Sequence, residues 1–256
     1  MVGKTKKILI PYAFFSVFSM LIETIILLIQ EDEKLNSSLI NSLKTIVIYG
    51  AVGSNQPLWF LLTLFLVYIL NYYISLKWVN LKLVTAICIV MAILLQYIGY
   101  KYPATISSTL IGLSFYLLGM QFKDFQFDKR IVVTALLGIV PMCIYPSVID
   151  VCTNSKMYGN YIVWYLYSLM AIILINNIFR SVKTYSFPLL RYIGRNAITF
   201  LITHWIILSI MKATLASYGI TSGYIMFSIM LVSMIVILPI LDIILNRDKL
   251  KVLIGK

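Results

Sequence analysis

One histidine, His204, stands inside an apolar stretch, A-I-T-F-L-I-T-H-W-I-I-L-S-I-M-K, that begins at Ala197. A titratable side chain within such a stretch is costly to bury without a partner, so it is a candidate functional residue. A neutral imidazole donates and accepts hydrogen bonds and titrates near neutral pH, which suits proton transfer from a hydroxyl group. The same ring could instead bond a neighbouring helix, and the sequence leaves both interpretations open.

Two further charged residues lie inside apolar segments. Glu23 and Lys212 each stand about fifteen residues into a segment, or about 22 Å along a helix. Neither could stay charged and solitary in hydrocarbon, so we predict an ion pair between them that faces the interior of a bundle. The alternative is that the Lys212 ammonium extends to the outer membrane surface.

A basic segment, R-Y-I-G-R-N, precedes the apolar stretch that holds His204. A guanidinium group binds phosphate in a bidentate manner, so Arg191 and Arg195 could hold the phosphates of an acyl carrier. Positive charge in a cytoplasmic loop explains both arginines equally well. Asn196 could contact a substrate, but an asparagine directly before an apolar run is also a typical helix N-cap.

Several catalytic motifs are missing from the chain. There is no phosphate-binding Gly-x-x-x-x-Gly-Lys-Ser/Thr loop, no Gly-x-Ser-x-Gly elbow, no paired-histidine zinc motif and no Cys-x-x-Cys. The three cysteines, Cys88, Cys143 and Cys152, have no metal-ligand spacing and are interpreted as small hydrophobic side chains. We therefore predict no metal site and no bound cofactor.

The composition places most of the chain in lipid. Of 256 residues, 61% are hydrophobic and 12% are charged, and the mean hydropathy is +0.95. A soluble domain with this balance would expose more apolar surface than its polar groups could cover. The formal net charge of +12 comes from basic residues in short segments between apolar runs. These segments face a membrane surface, so we expect a lipid bilayer around the chain and no nucleic-acid partner.

Eight apolar runs are long enough to cross a hydrocarbon core about 30 Å thick, which takes about 20 helical residues. Backbone polar groups in lipid must pair within their segment, so helices are expected. Pro141 and Pro146 are expected to kink the fifth run. The sequence predicts an all-α polytopic transmembrane helical bundle of about eight spans in a single domain, 1–256. The runs are Ile8 to Ile29, Leu58 to Leu76, Leu83 to Gly99, Ala104 to Phe122, Ile131 to Val151, Asn160 to Phe179, Ala197 to Ser217 and Ser222 to Leu245.

The basic residues predict the orientation of the bundle. If the N-terminus is cytoplasmic, most lysines and arginines fall in inner segments, and only four fall in outer ones. Such a bias is typical of membrane proteins and predicts that both termini are cytoplasmic. The four outer residues are Lys34, Lys44, Lys101 and Lys156.

The longest connection, Gln30 to Pro57, is predicted to lie on the outer side. Leu39, Leu43 and Val47 recur at helical spacing within it, which predicts an amphipathic helix on the membrane surface. This helix could guide a lipid-linked or glycan substrate to the bundle, or it could be a simple connector.

Four segments together resemble the acyltransferase 3 family of bacterial multi-pass membrane O-acyltransferases. They occur in the family's order over most of the chain, and the last is the most specific. Relatives usually begin with two further helices, the first of which carries an arginine and the histidine taken as the catalytic base. The resemblance therefore implies a shortened member in which those two residues have no counterpart. The segments are K-K-I-L-I-P-Y at Lys6 to Tyr12, P-L-W-F-L at Pro57 to Leu61, F-Y-L-L-G-M at Phe115 to Met120, and Y-I-G-R-N-A-I-T-F-L-I-T-H at Tyr192 to His204.

The resemblance implies an activity and a site. An acyl group, commonly acetyl, would pass from acetyl-CoA or another acyl-CoA to a hydroxyl of a surface polysaccharide, a lipid-linked sugar or another glycan. The chain would lie in the bacterial cytoplasmic membrane, with acyl-CoA as a co-substrate. His204 would be catalytic, orienting the acyl carbonyl or holding the absent histidine. Substrate and acyl-CoA would be bound by Lys6, Lys7, Trp59, Arg191, Arg195 and Asn196.

A non-catalytic membrane protein is the alternative. It would be an exporter of polysaccharide or lipid-linked sugar, or a decayed remnant. Transporters place their binding groups at paired broken helices near the middle of the membrane. Pro141, Pro146 and Glu23 could serve there, but the chain shows no such pair in corresponding halves.

Overall fold

The structure, a computed structural model, is almost entirely helical, which confirms the predicted fold class. Its described residues form ten α-helices and one small antiparallel sheet, and 85% of the structure is helical. Gln30, Lys34, Gly99 and Lys101, which entered the predictions above, lie outside these residues. The described ranges are 2–29, 35–52, 55–77, 79–98, 103–123, 128–152, 155–181, 187–220, 222–247 and 250–255.

The helices follow one another with short connections. A single 3-10 turn, Gln56–Leu58, leads into α3, and another, Lys251–Ile254, follows α10. The strands β1 (Val148–Asp150) and β2 (Ser155–Tyr158) pair between α6 and α7. The helices are α1 (Val2–Ile29), α2 (Leu35–Tyr49), α3 (Trp59–Leu76), α4 (Leu81–Ile98), α5 (Ala104–Phe122), α6 (Lys129–Ile139), α7 (Tyr161–Ser181), α8 (Pro188–Arg195), α9 (Ala197–Ser217) and α10 (Gly223–Leu245).

Seven helices among the described residues, α1, α3, α4, α5, α7, α9 and α10, are long and apolar enough to cross a membrane. They correspond to seven of the eight predicted spans. The fifth predicted span is not a continuous helix, because α6 ends at Ile139 and a 3-10 turn, Val140–Cys143, follows. Pro141 within that turn lacks the N–H that an α-helix requires, and the chain then enters β1.

The amphipathic helix predicted in the Gln30 to Pro57 connection is α2. Leu43 and Val47 are exposed, whereas Ser42 is buried on the side that packs against α1. Such an apolar outer face suits contact with lipid. Its place on the outer surface stays a prediction.

The chain divides into two compact units, and the prediction of a single domain stays a prediction. Unit 1 comprises Met1–Phe65 and Leu190–Lys256, and unit 2 comprises Leu66–Leu189. Both units are made chiefly of helices packed side by side, as expected of helical membrane bundles.

Unit 2 is organised around α5, which packs closely on α4. Ser107, Ser108 and Ser114 on α5 are almost fully buried, so small side chains line the face on which neighbouring elements rest. The Ser114 hydroxyl lies 2.8 Å from the Tyr165 hydroxyl of α7, and the Ser108 hydroxyl donates to the Val151 carbonyl at 2.8 Å. Polar contacts thus join α5 to the elements around it.

Unit 1 brings the first and last helices together. α1 packs against α2, against α9 and against the turn Gln56–Leu58, while α10 packs on α9. The turn Lys251–Ile254 contacts both α1 and α10. Gly255, with a positive φ of 75°, lies directly against the Lys7 carbonyl, and a side chain at this position would collide with it. The start of α1 therefore lies beside the end of α10.

Candidate functional site

His204 lies in the first half of α9, half-buried, with its ring edge-on to Trp205. Its Nδ1 is 2.9 Å from the Phe200 carbonyl oxygen, one helical turn earlier. Because a carbonyl only accepts hydrogen bonds, this contact requires a proton on Nδ1. In the neutral ring Nε2 then holds the lone pair, so His204 presents a proton acceptor away from its own helix.

His204 and the most buried residues of α9 lie on different faces. Thr199, Ile202 and Ile206 are buried, and they recur at helical spacing along one face. At 3.6 residues per turn, His204 is rotated about 140° from Thr199 around the helix axis. The buried residues Thr203 and Ile207 lie between these two directions, so His204 stands at the edge of the buried face of α9.

A buried acid, Asp242 on α10, anchors the short helix α8. The Tyr192 hydroxyl donates to Asp242 Oδ2 at 2.7 Å, and Asn246 Nδ2 donates to Oδ1 at 2.8 Å. Asp242 is only 3% exposed, so both bonds hold its carboxylate inside the unit. Desolvation raises the pKa of the Tyr192 hydroxyl, and the hydrogen bond and negative charge of Asp242 raise that pKa further.

The predicted basic residues of unit 1 lie at one end of it. Tyr192 ties α8 to the end of α10, and the turn that contains Lys251 contacts both α10 and the start of α1. We name this surface the basic end. Its members are exposed and carry positive charge: Lys6, Lys7, Arg191, Arg195, Arg247 and Lys251.

Asn196 and Trp59 take different positions. Asn196 occupies the N-cap position of α9, but its side chain makes no capping hydrogen bond there and is largely buried. Its backbone N–H donates to the Tyr192 carbonyl, which continues α8 into α9. Trp59 begins α3, half-buried, with its ring edge-on to Phe60. Substrate contacts for both residues stay predictions.

Glu23 and Lys212 have contrasting surroundings. The Ser42 hydroxyl of α2 donates to Glu23 Oε2 at 3.3 Å, so α2 provides one partner for this carboxylate. Lys212, near the far end of α9, is exposed. The predicted ion pair between them stays a prediction.

Sequence reasoning missed a buried asparagine at the centre of unit 1. Asn55 precedes the turn Gln56–Leu58, and its Nδ2 donates to the Ser19 hydroxyl at 3.2 Å and to the Ile202 carbonyl at 3.1 Å. It therefore joins α1 to α9. Asn55 lies in a glycine-containing loop, so its burial could not be predicted from the surrounding residues. Asp242 was detectable, as an acid within an apolar run, but it was not singled out.

Comparison with known proteins identifies the family. The family model described as an acyltransferase domain, that of the acyltransferase 3 family, matches residues 1–244 of the 256-residue chain. No curated protein and no solved structure matches the chain. Among the described residues, no group of three or more His, Cys, Asp and Glu side chains could hold a metal ion. The family match and the seven apolar helices together lead to one conclusion: the chain belongs to the acyltransferase 3 family and is a multi-pass membrane acyltransferase.

Proposed function

We propose that the protein transfers an acyl group, acetyl in the simplest case, from cytoplasmic acyl-CoA to a glycan hydroxyl at the bacterial cytoplasmic membrane. The acceptor would be a surface polysaccharide or a lipid-linked sugar. The observation that carries the proposal is the basic end of unit 1 in a chain of this family.

The basic end suits an acyl-CoA donor because coenzyme A carries several phosphate groups. Six exposed cations are gathered there, while the buried Asp242 carboxylate is engaged by Tyr192 and Asn246. Arginine binds phosphate with two parallel hydrogen bonds, and lysine supplies compact positive charge. Surface cations of one sign also raise the local concentration of an anionic substrate.

Helix α8 supports the proposal through its two faces. Leu189, Leu190 and Ile193 are exposed apolar residues, whereas Arg191 and Arg195 stand one turn apart on another side. A short helix with this pattern lies at a membrane interface, with its apolar side towards the acyl chains. The two arginines would then stand at the level of lipid headgroups, where the phosphates of an incoming donor pass.

His204 would act as the general base. The acceptor hydroxyl oxygen attacks the thioester carbonyl while Nε2 takes the hydroxyl proton. The carbon–sulfur bond then breaks, the proton passes to the departing thiolate, and an ester and free coenzyme A result. A neutral ring with its proton on Nδ1 can accept at Nε2 but cannot donate there, so this role fits better than orienting the acyl carbonyl.

The proposal is tested with membranes that contain the full chain, radiolabelled acetyl-CoA and the surface polysaccharide of the same cells. Label should enter the polysaccharide as an alkali-labile ester, and membranes without the chain should transfer none. An Arg191→Ala, Arg195→Ala double variant should raise the KM for acetyl-CoA about tenfold or more, since charge-assisted hydrogen bonds are about 1.5–3 kcal/mol each.

A Lys82→Ala, Lys129→Ala double variant is the matched control, because it removes two exposed cations of unit 2. It should leave the KM for acetyl-CoA unchanged. An exporter or an inactive remnant would transfer no label from acyl-CoA, and that result would refute the proposal.

A further inference from the structure

An open cavity lies in unit 2, where the end of α3, the start of α4 and the end of α5 meet. Its volume is about 540 Å³. Asn71, Ser75 and Lys77 line it from α3 and the turn that follows, Asn80 lines it directly before α4, and Met120 lines it from the end of α5. We call this cavity the Lys77 groove. None of these residues belongs to the proposed acyl-transfer site.

The Lys77 groove lies at the level of a membrane surface. Helices α3 and α4 are both long and apolar enough to cross a membrane, and the groove lies at the connection between them. Tyr72 and Tyr73, near the end of α3, are exposed, as is typical of aromatic residues at the lipid–water interface. The surface is the predicted cytoplasmic one, because Lys77 and Lys82 fall in an inner segment.

The polar lining of the groove offers hydrogen-bond donors. Asn80 Oδ1 accepts from the Lys82 and Leu83 backbone N–H groups, at 3.0 and 3.4 Å, and thereby caps α4. A backbone N–H can only donate, so these contacts identify Oδ1 and leave Nδ2, on the other side of the amide, as a donor. The exposed Lys77 ammonium group adds three donors and a positive charge. No acidic side chain is among the described residues that line the groove, so its charge suits an anion.

The rest of the lining is apolar, and α5 helps to hold it in place. Ile74, Leu81 and Met120 line the groove. Gln121 Nε2 donates to the Thr85 hydroxyl at 2.9 Å, which holds the end of α5, where Met120 lies, against the first turns of α4. Apolar side chains beside a cation suit a molecule that carries both hydrocarbon and negative charge.

We propose that the Lys77 groove binds one anionic phospholipid. The lipid phosphate accepts hydrogen bonds from the Lys77 ammonium group and from Asn80 Nδ2, and the acyl chains pack against Ile74, Leu81 and Met120. Basic pockets between membrane-spanning helices on the cytoplasmic side are typical sites for anionic lipid headgroups. One ammonium group matches the single negative charge of phosphatidylglycerol, whereas coenzyme A carries several phosphate groups and suits the basic end of unit 1. The inference does not depend on acyl transfer.

The first test measures lipid binding to the purified full chain in a nonionic detergent, by native mass spectrometry with dioleoylphosphatidylglycerol. Lys77→Gln should raise the Kd of the first bound lipid about tenfold, because a charge-assisted hydrogen bond is lost. Lys82→Gln is the matched control. It removes an equal charge from the first turn of α4, at an exposed lysine that is not among the described residues lining the groove, and it should leave the Kd unchanged. Equal Kd values for the two variants would overturn the proposal.

The second test replaces the Asn80 donor with a negative charge. Asn80→Asp keeps an oxygen that caps α4 but exchanges Nδ2 for a carboxylate oxygen, which repels a phosphate. Asn160→Asp is the matched control, because Asn160 directly precedes α7 and its Oδ1 accepts from the Ile162 backbone N–H at 2.8 Å. Phosphatidylglycerol should raise the Tm of the parent and of Asn160→Asp but not that of Asn80→Asp. No shift in the parent, or equal shifts in the two variants, would contradict the assignment.

Three further ligands test the other possible occupants of the groove. Dioleoylphosphatidylcholine has the same acyl chains and no net charge, so it should bind more weakly than phosphatidylglycerol, and equal binding would overturn the proposal. Inorganic phosphate and acetyl-CoA should not displace bound phosphatidylglycerol. Displacement by either one would assign the groove to free phosphate or to the acyl donor instead. None of these measurements requires acyl transfer, so they remain decisive even if the proposed function fails.

Discussion

Some buried polar groups of unit 1 lack the hydrogen bonds that the buried hydroxyls on α5 of unit 2 make. On α5 of unit 2, Ser107, Ser108, Thr109 and Ser114 are all hydrogen-bonded, and two of them also reach neighbouring elements. In unit 1, the buried Thr199 hydroxyl of α9 and the buried Asn55 Oδ1 make no hydrogen bond within the part of the chain that the structure describes. Similar polar residues at similar burial are thus hydrogen-bonded in one unit and not in the other.

Hydrogen-bonded hydroxyls join helices to one another, whereas a buried polar atom without a protein partner can bind a ligand. A hydroxyl bonded to a carbonyl in its own helix costs little in lipid and allows close packing. A buried polar atom without a bond destabilises the fold by about 1–3 kcal/mol. We therefore predict that α5 of unit 2 has a structural role and that substrates contact unit 1, which contains His204 and the basic end. Changes in unit 1 should then alter transfer, and changes in unit 2 should alter stability.

The largest effect is expected at His204. His204→Ala should lower the rate of acyl transfer about 10²–10⁴-fold, the usual loss when a general base is removed. His204→Asn should be equally inactive, since its amide can still donate to the Phe200 carbonyl but has no counterpart of Nε2. The measurement is labelled acetyl transfer at equal amounts of folded protein. Activity within about threefold of the parent in His204→Asn would contradict the role as base.

The hydrogen bond from the Tyr192 hydroxyl to Asp242, called the Tyr192 anchor below, should affect binding of the acyl-CoA donor. Tyr192→Phe loses a hydrogen bond to a carboxylate, about 1.5–3 kcal/mol, so the KM for acetyl-CoA should rise at least about tenfold while kcat is retained. Tyr218→Phe, at an exposed tyrosine of the same unit, is the control. A fall in kcat without a change in KM would show that the anchor serves another purpose.

The same anchor predicts a pH dependence. Burial and Asp242 raise the pKa of the Tyr192 hydroxyl above its ordinary value of about 10. The protonated phenol is the donor, so its contribution is complete below pH about 10 and is lost as the pH rises through the higher pKa. The KM for acetyl-CoA should not vary with Tyr192 ionisation between about pH 6 and 9. Above pH 10 it should rise in the parent but not in Tyr192→Phe.

In unit 2, Tyr165→Phe should reduce the stability of the protein and leave acyl transfer unchanged. It removes the contact with the Ser114 hydroxyl, which keeps its bond to the Ile111 carbonyl, so the free energy of unfolding should fall by about 1 kcal/mol. Tyr97→Phe on the exposed side of α4 is the matched control. Denaturation and transfer assays on the same preparations separate the outcomes, and a changed KM would break the distinction between the units.

The smallest effect is expected from salt. Exposed cations at the basic end are screened as the Debye length falls from about 10 Å at 0.1 M to about 3 Å at 1 M salt. The KM for acetyl-CoA should rise about threefold over this range. The Arg191→Ala, Arg195→Ala variant should show a smaller rise, and an equal rise in both proteins would exclude these arginines as the salt-sensitive contact.

The sequence was sufficient for features that depend on local composition. Long apolar runs predicted the seven long helices, and the isolated polar residue His204 was visible within one of them. The end of α6 was not predicted, because Pro141 was expected to bend a helix rather than stop it. The hydrogen bond between Asn55 and the Ile202 carbonyl could not be predicted from the sequence. The two residues are 147 positions apart, and only tertiary packing brings them together.

The contact of Gly255 with Lys7 also constrains membrane topology. The chain enters α1 and leaves α10 at one place within unit 1. The prediction that both termini are cytoplasmic would then require an even number of crossings. The seven long helices are an odd number. Helix α6 and the turn Val140–Cys143 together extend about 25 Å, close to the thickness of a hydrocarbon core of about 30 Å. If both termini are cytoplasmic, as predicted, this segment would supply the eighth crossing, although it is not a continuous transmembrane helix.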